Sequence, residues 1–313
     1  MTPENFDKAM LVHHPDYYCD IGAHVFPTRK FALVRERLLA EDPSLVIAEP
    51  EALPREAALL AHTSEYLADL DGDEHTERTR ASELPMSRQI VNAYYLGTGG
   101  TLLAAELALK HGGGMNLSGG FHHAYADRAE GFCYLNDVAV AARQLQQANG
   151  VSKVAIVDCD VHQGNGTAQI FQGDDTVFTF SIHQRDNYPM IKEKSDLDVE
   201  LENGVGDDEF CEELSGALER ISTEFVADFV FYLAGVDPYE NDQLGGLKLS
   251  IDGMRRRDRM VLEWCRASKT PVAVVLAGGY AVDTDDTVQM HCNTYRELES
   301  VIGQQGGRRP STD

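Results

Sequence analysis

The chain has 313 residues, with 27 Lys and Arg against 51 Asp and Glu, giving a formal net charge of −24 and a sequence pI of about 4.7. This balance argues against a duplex-DNA or anionic-membrane binder, because phosphate binding depends on clustered cations. At 43% hydrophobic residues the chain is globular rather than disordered, and at this length it buries roughly three quarters of its unfolded surface.

Helical periodicity predicts a first helix at 28–41, followed by the apolar run LVIAEP at 45–50. A second helix is expected at 87–111, with Ser87 as its N-cap and Gly112 to Gly114 ending it. Within it the Gly99-Gly100 pair marks close packing. A helix at 136–149 precedes the runs KVAIVDCDV (153–161) and TVFTFSI (176–182). Then come a helix at 207–227, the run FVFYLAGV (229–236), a helix at 252–268, the run TPVAVVLAGGY (270–280) and a helix at 285–302. Arg255, Arg256 and Arg257 read as a solvated face of their helix. The runs are continuous rather than alternating and rich in β-branched residues, as expected of strands covered on both faces. The fold class predicted is α/β, a central parallel sheet flanked by helices, in one domain over 1–303 with a flexible tail at 304–313. Six scattered cysteines without a C-x-x-C pair are expected to be reduced. No apolar run approaches the ~18 residues of a membrane span, and MTPENFDKAM lacks the features of a signal peptide. A soluble, cytoplasmic protein is the expectation.

In sheets of this kind ligands bind beyond the carboxyl ends of the strands. After Val157 come Asp158, Asp160 and His162, which would share one face if the strand continued. On that geometry Asp160 and His162 can converge on one cation, and Asp158 is left for a different partner. Either acid alone would read as a helix cap, but three ionisable groups at a buried strand end are costly unless something charged binds them. Asp237, at the next strand end, is the candidate third ligand. Two carboxylates and an imidazole suit zinc, iron or manganese alike. His122 and His123 follow Gly119 and Gly120, whose backbone freedom can aim both rings at one cleft as general base and acid. Asp158 can orient His122, and Asn165 can orient His123. Tyr280, after Gly278 and Gly279, can present a phenol to a developing oxyanion.

These pieces, in this order, resemble the zinc-dependent histone deacetylase superfamily, which includes acetylpolyamine amidohydrolases and bacterial acetoin-utilisation-type proteins. The segments that carry the resemblance are HPDYYCDIGAHVFPTRK, HTSEYL, GGFHHA, GFCYLND, VDCDVHQGNGT, ENGVGDDEF, AGVDPYE and LAGGY, spread over nearly the whole chain. The opening segment and Asn165 look most like class IV deacetylases and their bacterial relatives. The resemblance implies a three-layer arginase/deacetylase-like fold and removal of acetyl or other acyl groups from lysine side chains by metal-activated water. It implies one zinc ion, with iron(II) also compatible, on Asp160, His162 and Asp237, proton transfer by His122/Asp158 and His123/Asn165, and carbonyl polarisation by Tyr280. Phe132 and Tyr188 would wall an acyl-lysine tunnel, with Gly131 and Gly279 contacting substrate. A structural potassium ion would use Asp158, the carbonyls of Asp160 and His162, Ser181 and the Ile182 carbonyl. The ureohydrolases that share this fold bind two metals, but their additional carboxylates correspond here to Gly164 and Gly235. The substrates implied are an acyl-lysine protein or peptide, or an acylated polyamine, with no direct nucleic-acid partner. A non-catalytic acyl-lysine binding module is the distant alternative.

Overall fold

The structure, a computed structural model, describes residues 10–303, so the tail expected at 304–313 lies outside the described residues. Among the described residues eight strands form one sheet: β1 (Leu11–Val12), β2 (Ile47–Ala48), β3 (Gly113–Asn116), β4 (Val154–Asp158), β5 (Val177–Gln184), β6 (Leu197–Leu201), β7 (Phe229–Leu233) and β8 (Val272–Val275). Their order is β2-β1-β3-β8-β7-β4-β5-β6, and every pairing is parallel. All residues of β4, β5, β7 and β8 are buried, which is why these runs read as continuously apolar. Helices Arg88–His111 and Asp137–Ala148 pack on one another, and helices Asp207–Glu224, Ile251–Ser268, Thr284–Val301 and Lys30–Glu41 form a second packed group. This is the α/β parallel sheet with flanking helices that the sequence predicts.

The six expected helices appear with ends moved by at most a few residues. Ser87 accepts a hydrogen bond from the Ile90 amide, and Gly112 closes that helix at φ +89°. A Cβ on Gly99 would stand 2.0 Å from the Glu51 carbonyl oxygen, and one on Gly100 1.9 Å from the Tyr17 hydroxyl, so both glycines are required by packing. Gly113 and Gly114, expected to continue the helix stop, instead open β3: a Cβ on Gly114 would lie 2.2 Å from the Ala104 carbonyl oxygen of the covering helix. Arg257 corrects a second expectation. It is fully buried, donates to the carbonyls of Cys159 (3.2 Å) and Gly235 (2.5 Å), and pairs with Asp258 at 2.7 Å. The arginine thus ties together the chain segments that leave β4 and β7. Its partly exposed neighbours Arg255 and Arg256 pair with the buried Glu297 and the exposed Asp208. All six cysteines are free and buried, and no helix among the described residues is long and apolar enough to cross a membrane.

The order β3-β8-β7-β4 gathers the chemistry in one place. Four adjacent strands, about 14 Å across, release their carboxyl ends side by side. The segments that carry the two histidines, the three candidate metal ligands and Tyr280 all leave one of these four ends.

Candidate active site

β4 ends at Asp158, so the expectation of a strand continuing through His162 does not hold. The Asp158 carboxylate accepts the Asp160 amide at 3.1 Å, and the Asp160 carboxylate accepts the His162 amide at 3.0 Å. Two successive Asx-type turns therefore curl the chain back over the sheet end. The turn brings His162 Nδ1 to 3.0 Å from Asp160 Oδ1 and 3.3 Å from Asp237 Oδ2. Asp237 leaves β7 and is held by the Val161 amide, which donates to its Oδ1 at 2.8 Å. The ligand atoms of Asp160, His162 and Asp237 all lie within 4.8 Å of one another, in a buried cluster that leaves out Asp158.

These residues fit a single divalent cation. Among the described residues the buried Asp237 Oδ2 makes no well-formed hydrogen bond, only the 3.3 Å approach of His162 Nδ1, a costly state for a carboxylate oxygen unless a cation takes its lone pair. The space is kept by glycine, since a Cβ on Gly278 would stand 2.0 Å from Asp237 Oδ2 and one on Gly235 2.3 Å from Asp160 Oδ2. The Gly278 amide also donates to Asp160 Oδ2 at 2.7 Å. Burial and the neighbouring Asp160 charge push the Asp237 carboxyl up to about 7. Burial disfavours a charge on His162, but Asp160 and Asp237 outweigh it and lift the ring to about 10. Both shifts report a buried site in which two acids crowd together short of positive charge.

β3 delivers the histidine pair. Gly119 and Gly120 take φ of +79° and +80°, and the buried Asp137 carboxylate accepts the amides of Gly120 (3.0 Å) and Phe121 (2.7 Å) to fix the turn. His122 Nδ1 lies 2.7 Å from Asp158 Oδ2, His123 Nδ1 lies 2.6 Å from Asn165 Oδ1, and the two Nε2 atoms meet at 3.1 Å. The partners differ in charge and so do the rings. Burial works against a charge on His122, yet Asp158 and Asp160 raise it to about 9. His123 has no such carboxylate at its side; burial, with the rings of His122 and His162, holds it well below the ordinary histidine range.

Glu130 and Cys133 bracket a tight turn whose central residues, Gly131 and Phe132, both have positive φ (+48° and +63°). A Cβ on Gly131 would lie 2.6 Å from the His123 ring, so the turn packs directly against the catalytic candidate. Phe132, Gly131, Tyr188, Tyr280, His123 and His162 line one cavity of about 180 Å³, together with Glu83, Asn187 and Leu244. The Tyr188 ring stands edge-on to His123 at 4.9 Å. Gly279 is not on this wall: it backs onto Val236, 2.5 Å from where its Cβ would be. Asp158 and Ser181 are register partners on β4 and β5, with Ile182 next in β5. Sequence reasoning misses Glu83, Asn187 and Leu244 on the wall, and Lys30 beneath it. Lys30 is buried, donates to the Ala277 carbonyl at 2.7 Å, and is lowered to about 8 by burial against the pull of Asp237 and Asp160. It ends the segment HPDYYCDIGAHVFPTRK, but a single lysine before a helix carries no signal of its own.

Residues 24–295 match the family described as the histone deacetylase domain. Over 299 residues the chain is 42% identical to an uncharacterised protein of Picosynechococcus sp., covering 93% of this chain and 98% of that one. It is 31% identical over 269 residues to histone deacetylase 2 of Arabidopsis thaliana, covering 82% of this chain and 70% of that one. Among solved structures, an acetylpolyamine aminohydrolase from Burkholderia pseudomallei superposes with a TM-score of 0.77 at 21% identity, over 94% of this chain and 99% of that one. A histone deacetylase homologue from Aquifex aeolicus does so with a TM-score of 0.78 at 23% identity, over 94% and 84%. These likenesses show the arginase/deacetylase-like fold. Sequence and fold agree that the chain belongs to the histone deacetylase domain family.

Proposed function

We propose that the protein is a metal-dependent deacylase that hydrolyses the amide of an acylated lysine side chain. What carries the reading is one juxtaposition: a tandem histidine pair, each ring with its own partner, beside an Asp-His-Asp cation cradle, with His123 and His162 lining the same cavity. A divalent cation on Asp160, His162 and Asp237, zinc by family analogy, would polarise the acyl carbonyl and lower the pKa of water towards about 7. His123 faces the cavity, and its Nε2 takes the proton of the attacking water. His122, its Nδ1 on Asp158 and its Nε2 3.1 Å from that of His123, is the second proton-transfer residue of the pair. The Tyr280 hydroxyl donates to the carbonyl oxygen as it becomes an oxyanion; burial and the Asp237 and Asp160 charges hold that phenol in its protonated, donating form. His123 then returns its proton to the departing amine. Phe132 and Tyr188 flank the aliphatic stem of the substrate. A structural potassium ion at Asp158, Ser181 and the carbonyls of Asp160, His162 and Ile182 belongs to the same proposal.

Acylated polyamines form the second reading, favoured by Glu83 on the cavity wall and by the net charge of −24, both of which suit an extended cation. Turnover of acetyl-lysine peptide, long-acyl-lysine peptide and acetylpolyamine by the zinc-loaded protein ranks the two. Tyr280→Phe should lose roughly 10²–10³ in kcat, and His123→Ala at least as much. Wild-type rates from both variants would refute the assignment.

A further inference from the structure

We infer that Glu130 is a positioning residue for His123 and acts through Asn165; the inference deepens the deacylase reading and rests on it. Asn165 is fully buried and its amide is committed on every side. Oδ1 faces His123 Nδ1 at 2.6 Å, while Nδ2 donates to Glu130 Oε1 at 2.9 Å and to the Tyr125 hydroxyl at 3.1 Å. A carboxylate has only lone pairs to offer, so the side of the amide that faces Glu130 must be the NH₂. Tyr125 gives its own proton to Glu193 Oε1 at 3.2 Å and so turns a lone pair towards Asn165. The amide oxygen is thereby left for His123. Because that oxygen can only accept, Nδ1 of His123 carries the proton, and Nε2 keeps the lone pair that general-base catalysis needs.

Glu130 is itself fixed. Its Oε1 also accepts the Tyr188 hydroxyl at 3.1 Å, and its Oε2 lies 3.5 Å from Arg128 Nε. A negative charge therefore stands behind a neutral amide, one hydrogen bond further from the imidazole than a carboxylate at position 165 would be. When His123 takes up a proton, the two bonds of the relay, imidazole to amide and amide to carboxylate, polarise one another and strengthen together. The arrangement also forbids the obvious replacement. Asn165→Asp would set two carboxylates in the contact now spanned by the 2.9 Å hydrogen bond, where both cannot be ionised.

The test is a double-mutant cycle on the zinc-loaded full chain, with histidine ¹⁵N and ¹H resonances recorded beside kcat and KM for an acetyl-lysine peptide. Glu130→Gln keeps the shape, removes the charge, and should lower kcat roughly 10-fold with KM little changed. Asn165→Asp should lower kcat by at least as much. Glu130→Gln combined with Asn165→Asp should recover most of the loss, since one charge is then back in line with His123. The His123 Nδ1–H proton should move upfield in Glu130→Gln and downfield again in the double variant. An Asn165→Asp protein as active as wild type, a double variant no better than Glu130→Gln, or an unmoved Nδ1–H resonance would each overturn the inference. The resonances need no turnover, so a protein that hydrolyses no acyl amide sinks the functional reading and leaves this test intact.

Discussion

Gly278→Ala offers a sharp test of the cation cradle, because the added methyl changes no charge and no ligand. The Cβ would stand 2.0 Å from Asp237 Oδ2 and 2.6 Å from Asp160 Oδ2. The nearer contact is more than 1 Å short of van der Waals distance, and neither carboxylate can retreat freely: Asp237 is fully buried and pinned by the Val161 amide. Ligand distances in a genuine metal site fall within about 0.2 Å of their standard values. Losing the aim of one of three ligands should weaken zinc binding at least about 100-fold, or about 2.7 kcal/mol. Measured as the rise in Tm on adding zinc, this removes roughly 5 °C of the increment, because a ligand that binds only the folded state stabilises by RT ln(1 + [L]/Kd). The increment, not the absolute Tm, is the quantity compared, since the clash also disturbs the zinc-free protein. Gly216→Ala is the control. It lies exposed within helix Asp207–Glu224 with nothing within 4 Å of its Cβ position, and should gain about 0.5–1 kcal/mol while leaving the zinc increment alone. A Gly278→Ala protein with the wild-type zinc increment and chelator-competition Kd would show that the ion does not sit between Asp160 and Asp237.

Arg257→Met should cost about 3–5 kcal/mol in urea unfolding, because it leaves Asp258 buried without its cation and frees the carbonyls of Cys159 and Gly235. Zinc affinity should fall with it, since those carbonyls belong to the segments that carry Asp160 and Asp237; a loss under about 1 kcal/mol would mean the clamp is dispensable. His62 makes a prediction in pH. Burial lowers it to about 4, and it is held neutral, with Nδ1 3.0 Å from the Tyr125 carbonyl and Nε2 accepting the Asn136 amide at 3.0 Å. Between about 4 and 6.5 the unfolded chain therefore binds the proton that the folded chain refuses. Its contribution, about 3 kcal/mol, is complete above pH 6.5 and lost as pH falls through 4. Unfolding at about pH 6.5, 5 and 4 should show a steeper acid loss for wild type than for His62→Gln; parallel curves would refute it.

The sheet is legible where burial on both faces erases alternation. β4, β5, β7 and β8 announce themselves as unbroken apolar runs, and the strand ends they imply locate Asp160, His162, Asp237 and Tyr280. β3 is not legible, because a close helix requires glycine where a strand would otherwise show valine or isoleucine. β6 escapes notice for the opposite reason: it is an edge strand, LDVEL, buried only at its two ends. Arg257 misleads because a run of three arginines on a helix looks alike whether the third points to water or to two carbonyls just past the strand ends.

Glu130 shows why sites are harder to read than folds. In sequence it is an acid beside a glycine turn, and Asn165 is a neutral residue where a carboxylate would make the simpler partner for His123. Only the fold brings the two within 2.9 Å, where the missing charge reappears one bond further out. Position 165 considered alone predicts that Asn165→Asp improves His123 as a base. The network predicts that it harms the base unless Glu130 is neutralised at the same time. That opposition of sign is a property of the pair, which no reading of single positions contains.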